Sequence, residues 1–125
     1  MWVAGATTVL LGTIAAVAWA AEIENLNGQS CGAFSGDWHF VNNQTRGAAA
    51  GTLVATFETG PEGGVCTVDA AIVNRNNQHF FCYGYGGDLL WASTGDLPGR
   101  LVLSDYSCDS KEPPPCDPKD PKCVQ

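Results

Sequence analysis

After an uncharged apolar opening, the chain carries no long amphipathic helical pattern. Instead, short runs rich in β-branched and aromatic residues alternate with clusters of Gly, Asn and Asp, the signature of an all-β domain. Strands are predicted near 37–42 (DWHFVN), 51–58 (GTLVATFE), 65–73 (VCTVDAAIV), 78–84 (QHFFCYG), 88–93 (DLLWAS) and 100–106 (RLVLSDY). NQTRGAAA, TGPEGG, NRNN, YGG and TGDLPG mark the breaks. Successive strand side chains point to opposite faces, so each run divides in two. Trp38, Phe40, Leu53, Ala55, Phe57, Cys66, Val68, Ala70, Ile72, Phe80, Cys82, Leu90, Leu101 and Leu103 form an almost purely apolar set and are the expected core. Opposite them stand Asp37, His39, Thr52, Thr56, Thr67, Asp69, His79, Phe81, Tyr83, Tyr85, Trp91 and Arg100, polar early in the chain and aromatic later. Short strands joined by tight turns imply a small antiparallel meander, closed as a barrel or packed as a two-sheet sandwich.

The two ends of the chain differ from this middle. Residues 2–21, WVAGATTVLLGTIAAVAWAA, hold no charge, and Ala18-Trp19-Ala20 is the small-x-small pattern of a signal-peptidase site. Residues 1–20 therefore read as a secretory signal, and residues 21–110 as the folded domain. The Lys or Arg that usually opens a signal is missing, and twenty uncharged residues can also just span a bilayer as an uncleaved anchor. At the other end, residues 111–125 (KEPPPCDPKDPKCVQ) hold five of the seven prolines. Such proline density cannot join a sheet interior and predicts an extended tail.

All six Lys/Arg and all thirteen Asp/Glu lie after residue 21, so the exported part has a formal charge of −7. That charge argues against binding a phosphate backbone, and no nucleic-acid partner is expected. Six cysteines in an exported chain this short read as three disulfides, and without a C-x-x-C spacing they suggest neither a zinc ribbon nor a redox dithiol. Cys66 and Cys82 fall on the core face of neighbouring strands. Cys31 precedes the first predicted strand and Cys108 follows the last. The expected set is thus Cys66–Cys82, Cys31–Cys108 and, within the tail, Cys116–Cys123.

The residues that could carry chemistry are few. His39 and His79 are the only histidines and share the outer face with Asp37 and Asp69. There is no His-x-His and no third histidine, so no metal or other cofactor is expected, although these two are the residues that would contribute to one. No serine sits in a G-x-S-x-G elbow, and Asp37, Asp69 and Asp88 have no spacing that pairs them as glycosidase acids, so no enzyme activity is expected. Asn43-Gln44-Thr45 fits the N-glycosylation pattern at a predicted turn. NNQ at 42–44 and again at 76–78 reads as turn chemistry, since Asn tolerates left-handed backbone.

The outward row Phe81, Tyr83 and Tyr85, with Trp91 from the next predicted strand, is the expected ligand surface. Exposed aromatic rows stack on sugar rings or form protein interfaces. The sequence thus predicts a secreted, periplasmic or cell-surface binding or structural domain, with a polysaccharide or a surface protein as partner and no membrane contact after signal cleavage. The alternative is an exported inhibitor of an enzyme such as a protease, acting through a disulfide-held loop at TGPEGG or DPKDPK.

Two resemblances accompany this reading. Gly36-Asp37-Trp38 resembles the G-x-W opening of avidin-like and lipocalin-like barrels over those three residues, and no ligand-binding residue carries over. Residues 31–108, through GDWHFVNNQT, GTLVATF, NNQHFFCYG and LPGRLVLSDYSC, resemble short β-rich domains of secreted and surface-attached bacterial proteins. That resemblance implies export and a β-fold, and supplies no catalytic residue.

Overall fold

The structure is a computed structural model that describes residues 20–109. The predicted signal at 1–20, apart from Ala20, and the tail with Cys116 and Cys123 lie outside the described residues. Seven strands form one antiparallel sheet: β1 (Ala21–Glu22), β2 (Ser30–Asn43), β3 (Thr52–Thr59), β4 (Val65–Asp69), β5 (Ile72–Val73), β6 (Asn77–Thr94) and β7 (Arg100–Cys108). The order is β4-β3-β6-β2-β7, with β1 and β5 also paired to β6. The sheet does not close, unlike the barrels whose opening residues 36–38 resemble. A four-residue helical turn, α1 (Pro61–Gly64), joins β3 to β4, and its Glu62 and Gly63 take left-handed backbone.

β6 organises the sheet, because its eighteen residues pair with four other strands. The predicted strands 78–84 and 88–93 are therefore one strand, and the YGG break lies inside it. The chain passes this point through a bulge at Gly84 (φ 81), a left-handed conformation that glycine adopts without a Cβ penalty. The β2 partner of Asp37 is Tyr83 and that of Gly36 is Tyr85, so Gly84 is the unpaired extra residue. A second extra residue is Leu90, because Phe57 and Thr56 of β3 pair with Leu89 and Trp91.

Each bulge reverses the face on which residues lie. Gln78, Phe80 and Cys82 point inward before Gly84, Tyr85 and Leu89 after it, and Ala92 and Thr94 after Leu90. Leu90 is consequently 47% exposed and Leu89 only 3%, which reverses the expectation of Leu90 as core. Ile72 also leaves the expected core. The predicted strand 65–73 breaks at Ala70-Ala71, and Ile72 lies exposed on the short edge strand β5. Trp38, Phe40, Leu53, Ala55, Phe57, Cys66, Phe80, Cys82, Leu101 and Leu103 are buried as read, and Val68 and Ala70 pack partly buried against them.

The segment after Ala20 completes the core. Ala21 and Ile23 are buried, and Asn25 pairs with both backbone groups of Leu103, its Nδ2 donating to the carbonyl (2.8 Å) and its Oδ1 accepting from the amide (2.8 Å). This side-chain amide satisfies part of the outer edge of β7, where exposed groups would otherwise invite strand addition.

Cys66–Cys82 is bonded, as its core-face positions predict, and so is Cys31–Cys108, although these two lie within β2 and β7 rather than outside the strands. Disulfides of this kind are compatible with an oxidising, extracellular compartment. Among the described residues no helix is long and apolar enough to cross a membrane.

The two NNQ triplets are not simple turns. WHFVNN and NNQHFF are opposite stretches of β2 and β6, with Phe40 facing Phe80, Asn42 facing Gln78 and Asn43 facing Asn77. Their mirrored order is the mirror of antiparallel pairing. Asn42 and Gln78 are fully buried, and so is Thr45 of the Asn43-Gln44-Thr45 triplet, whose Asn43 ends β2 rather than standing in an open turn.

Candidate functional site

The outer face of β6, β2 and β7 carries a two-rung grid of side chains. One rung runs Tyr83–Asp37–Ser107 and the next Phe81–His39–Asp105, each residue being the cross-strand partner of its neighbour. Six of these positions, with Trp38 and Tyr106, line a cleft of about 290 Å³, near the lower limit for small-molecule sites. Asp105 reaches this face because Ser104 is the extra residue of a third bulge, where His39 pairs with Asp105 but Phe40 with Leu103.

The aromatic part of the cleft is well ordered. Phe81 and Tyr83 stand parallel, with ring centroids 6.1 Å apart and planes differing by 5°. His39 stacks on Phe81 at 4.5 Å, extending the row. Tyr106 stacks on the buried Trp38 ring at 4.6 Å and leaves part of its own ring at the rim. Tyr83 is 63% exposed, so its ring face is free among the described residues.

Polar atoms flank these rings. His39 bonds to Asp105 through Nδ1 (3.0 Å) and meets His79 through Nε2, whose distance to His79 Nδ1 is 2.8 Å. His79 Nε2 in turn lies 3.1 Å from Asn77 Oδ1. Burial first, and then the positive charge His39 can carry, lower the His79 pKa from its ordinary value.

The expected ligand residues therefore separate. Phe81 and Tyr83 share the cleft. Tyr85 does not: the Gly84 bulge turns it into the core, where it is 8% exposed, packs against Phe57 at 4.9 Å and donates from its hydroxyl to the Val65 carbonyl. Trp91 is 43% exposed but lies past both bulges, beside Thr56 of β3, and does not line the cleft.

Asp69 is engaged elsewhere, accepting from Thr52 Oγ1 (3.0 Å), and Asp88 lies away from the cleft on β6. Among the described residues no group of three or more His, Cys, Asp or Glu is placed to hold a metal. Asp105, Tyr106 and Ser107 are the residues that sequence reading missed. The polar step Ser104-Asp105 inside LVLSDY is the signal that could have revealed the bulge.

Fold and cleft together define an antiparallel, disulfide-bonded β-domain with an aromatic and acidic groove on one face. No protein-family model, curated protein or solved structure matches the chain.

Proposed function

We propose that the protein is an exported carbohydrate-binding domain whose cleft is the binding site. The observation that carries this reading is the parallel pair Phe81 and Tyr83 beside two carboxylates, Asp37 one strand away on the Tyr83 rung and Asp105 two strands away on the Phe81 rung. A sugar ring presents an apolar C–H face and a belt of hydroxyls. The aromatic faces take the first, and carboxylates, which only accept hydrogen bonds, take the second. Ser107, on the Tyr83 rung, adds a hydroxyl to the lining. The reading is of retention rather than turnover.

Retention on a panel of insoluble polysaccharides (cellulose, chitin, xylan and peptidoglycan) tests this. The parent domain is expected to bind at least one, Tyr83→Ala to lose retention at an unchanged urea midpoint, and Trp91→Ala to keep it. No retention on any of the four, or full retention by Tyr83→Ala, rejects the reading.

A further inference from the structure

Four ring nitrogens belong to His39 and His79, and the bonds around them leave little freedom in where protons sit. The Asp105 carboxylate can only accept, so His39 Nδ1 donates to it. Asn77 Oδ1 already accepts from Asn74 Nδ2 at 2.8 Å, which fixes that oxygen as an acceptor, so His79 Nε2 donates to it. The two nitrogens left over, His39 Nε2 and His79 Nδ1, face each other at 2.8 Å.

The manner of that meeting matters. The ring centroids are 5.1 Å apart and the planes differ by only 18°, so the imidazoles are nearly coplanar and touch edge to edge, with their lone pairs on one line. Two neutral rings would oppose lone pair to lone pair, and two imidazolium rings would oppose N–H to N–H. A metal ion on the same line, with bonds of about 2 Å, would need the nitrogens about 4 Å apart. One proton between them satisfies the geometry, giving the chain Asp105···H–His39–H···His79–H···Asn77 with three protons on four nitrogens.

We infer that His39 and His79 share a single proton, and that gaining a second proton or losing the shared one releases His39 from its stack on Phe81 and reshapes the cleft. Proton-linked control of the cleft rests on the binding reading above, but the shared proton itself does not. The ionisable groups on the same face as the pair are Asp105 on β7, Asp37 on β2 and the phenol of Tyr83 on β6; β5 contributes the uncharged Ile72 beside His79. Burial of His79 and the charge on His39 oppose the second proton.

The test is a pH titration of the intact, oxidised protein by 15N NMR of the imidazoles, read together with the ring resonances of Phe81 and Tyr83. The pair is expected to titrate in two macroscopic steps more than about one pH unit apart, as coupled sites do. Between the steps, His39 Nδ1 and His79 Nε2 stay protonated, and the Phe81 resonances move at each step. His79→Gln keeps a side chain of similar reach and reduces the profile to one step. Two histidines titrating independently in the parent, or Phe81 resonances indifferent to both steps, overturn the inference. Retention on the polysaccharide, measured across the same pH range, is expected to peak between the steps. Retention that stays flat through them overturns the linkage, whereas two clear steps with no retention at any pH support the shared proton and reject only the carbohydrate reading.

Discussion

Gln78→Met isolates the buried polar network that joins β2 and β6 to the loop after β2. Gln78 is 0% exposed, accepts from the Gly51 amide through Oε1 (2.8 Å), and donates through Nε2 to the carbonyls of Ala48 (3.1 Å) and Ala49 (2.9 Å). Methionine preserves the volume, so the cavity contribution is small. It removes all three bonds. Gly51 is buried, and its amide, left without water, costs about 1–3 kcal/mol. Ala48 and Ala49 are half-buried and exposed, so water partly replaces the lost donor and each adds at most about 1 kcal/mol. The sum is about 1–5 kcal/mol, a large part of the stability of a domain of this size. Urea unfolding with the disulfides intact reads it directly. At a slope of about 1.5 kcal/mol/M, the midpoint falls by about 0.7–3.3 M without a change in slope. Asn76→Ser, at the exposed member of the same triplet, is the control, because it loses one solvent-accessible bond to the Arg46 amide and costs under about 1 kcal/mol. Equal midpoints for the two variants would refute the assignment of Gln78 to a buried network.

Leu89→Ala is expected to cost about 2–5 kcal/mol and Leu90→Ala no more than about 0.5 kcal/mol, since only the former is buried; urea midpoints that fall equally would remove the second bulge. Replacing both Cys31 and Cys108 by Ser opens a closure of 77 residues, worth about 4–5 kcal/mol by chain entropy, and a loss below about 1 kcal/mol in the same assay counts against that account. The lowered His79 pKa also fixes the sign of a pH effect. Below the ordinary histidine value of 6.5 the unfolded chain takes up a proton that the native chain still refuses, so stability declines as pH falls through that region. Urea midpoints measured between about pH 8 and pH 5 should therefore fall less for His79→Gln than for the parent, and identical slopes would contradict the shift.

Alternation placed most of the core and the Cys66–Cys82 disulfide, and apart from Ile72, lost to the strand break at Ala70-Ala71, its errors share a cause. Cys66 and Cys82 lie on stretches that no bulge interrupts between their neighbouring core residues, so counting by twos brings both to the inner face. Leu90, Tyr85 and Asp105 each lie at or beyond an extra residue, where the count reverses. A bulge is a property of two paired strands, and a strand read alone does not contain it. The cluster Gly84-Tyr85-Gly86-Gly87 did signal an irregularity, but a turn and a bulge both favour glycine. The NNQ triplets misled for a different reason. Polarity suggested solvent, whereas loops folded over Asn42 and Gln78 supply the hydrogen bonds that make their burial tolerable.

The same irregularities complete the cleft. Without the extra residue at Ser104, strict alternation would put Asp105 on the face of Leu101 and Leu103, and His39 would lack its carboxylate partner. Without the bulge at Gly84, Tyr85 would continue the outer row, and Trp38 Nε1, which donates to the Tyr85 carbonyl at 2.8 Å, would lose its acceptor in the core. The aromatic row thus ends at Tyr83, its most exposed member, and the acidic wall begins one strand away. Regular alternation already gathers Phe81, Tyr83, Asp37 and the histidine pair on a single face, and the bulge at Ser104 adds the second carboxylate, Asp105, which a perfectly alternating strand with the same residues would have turned into the core.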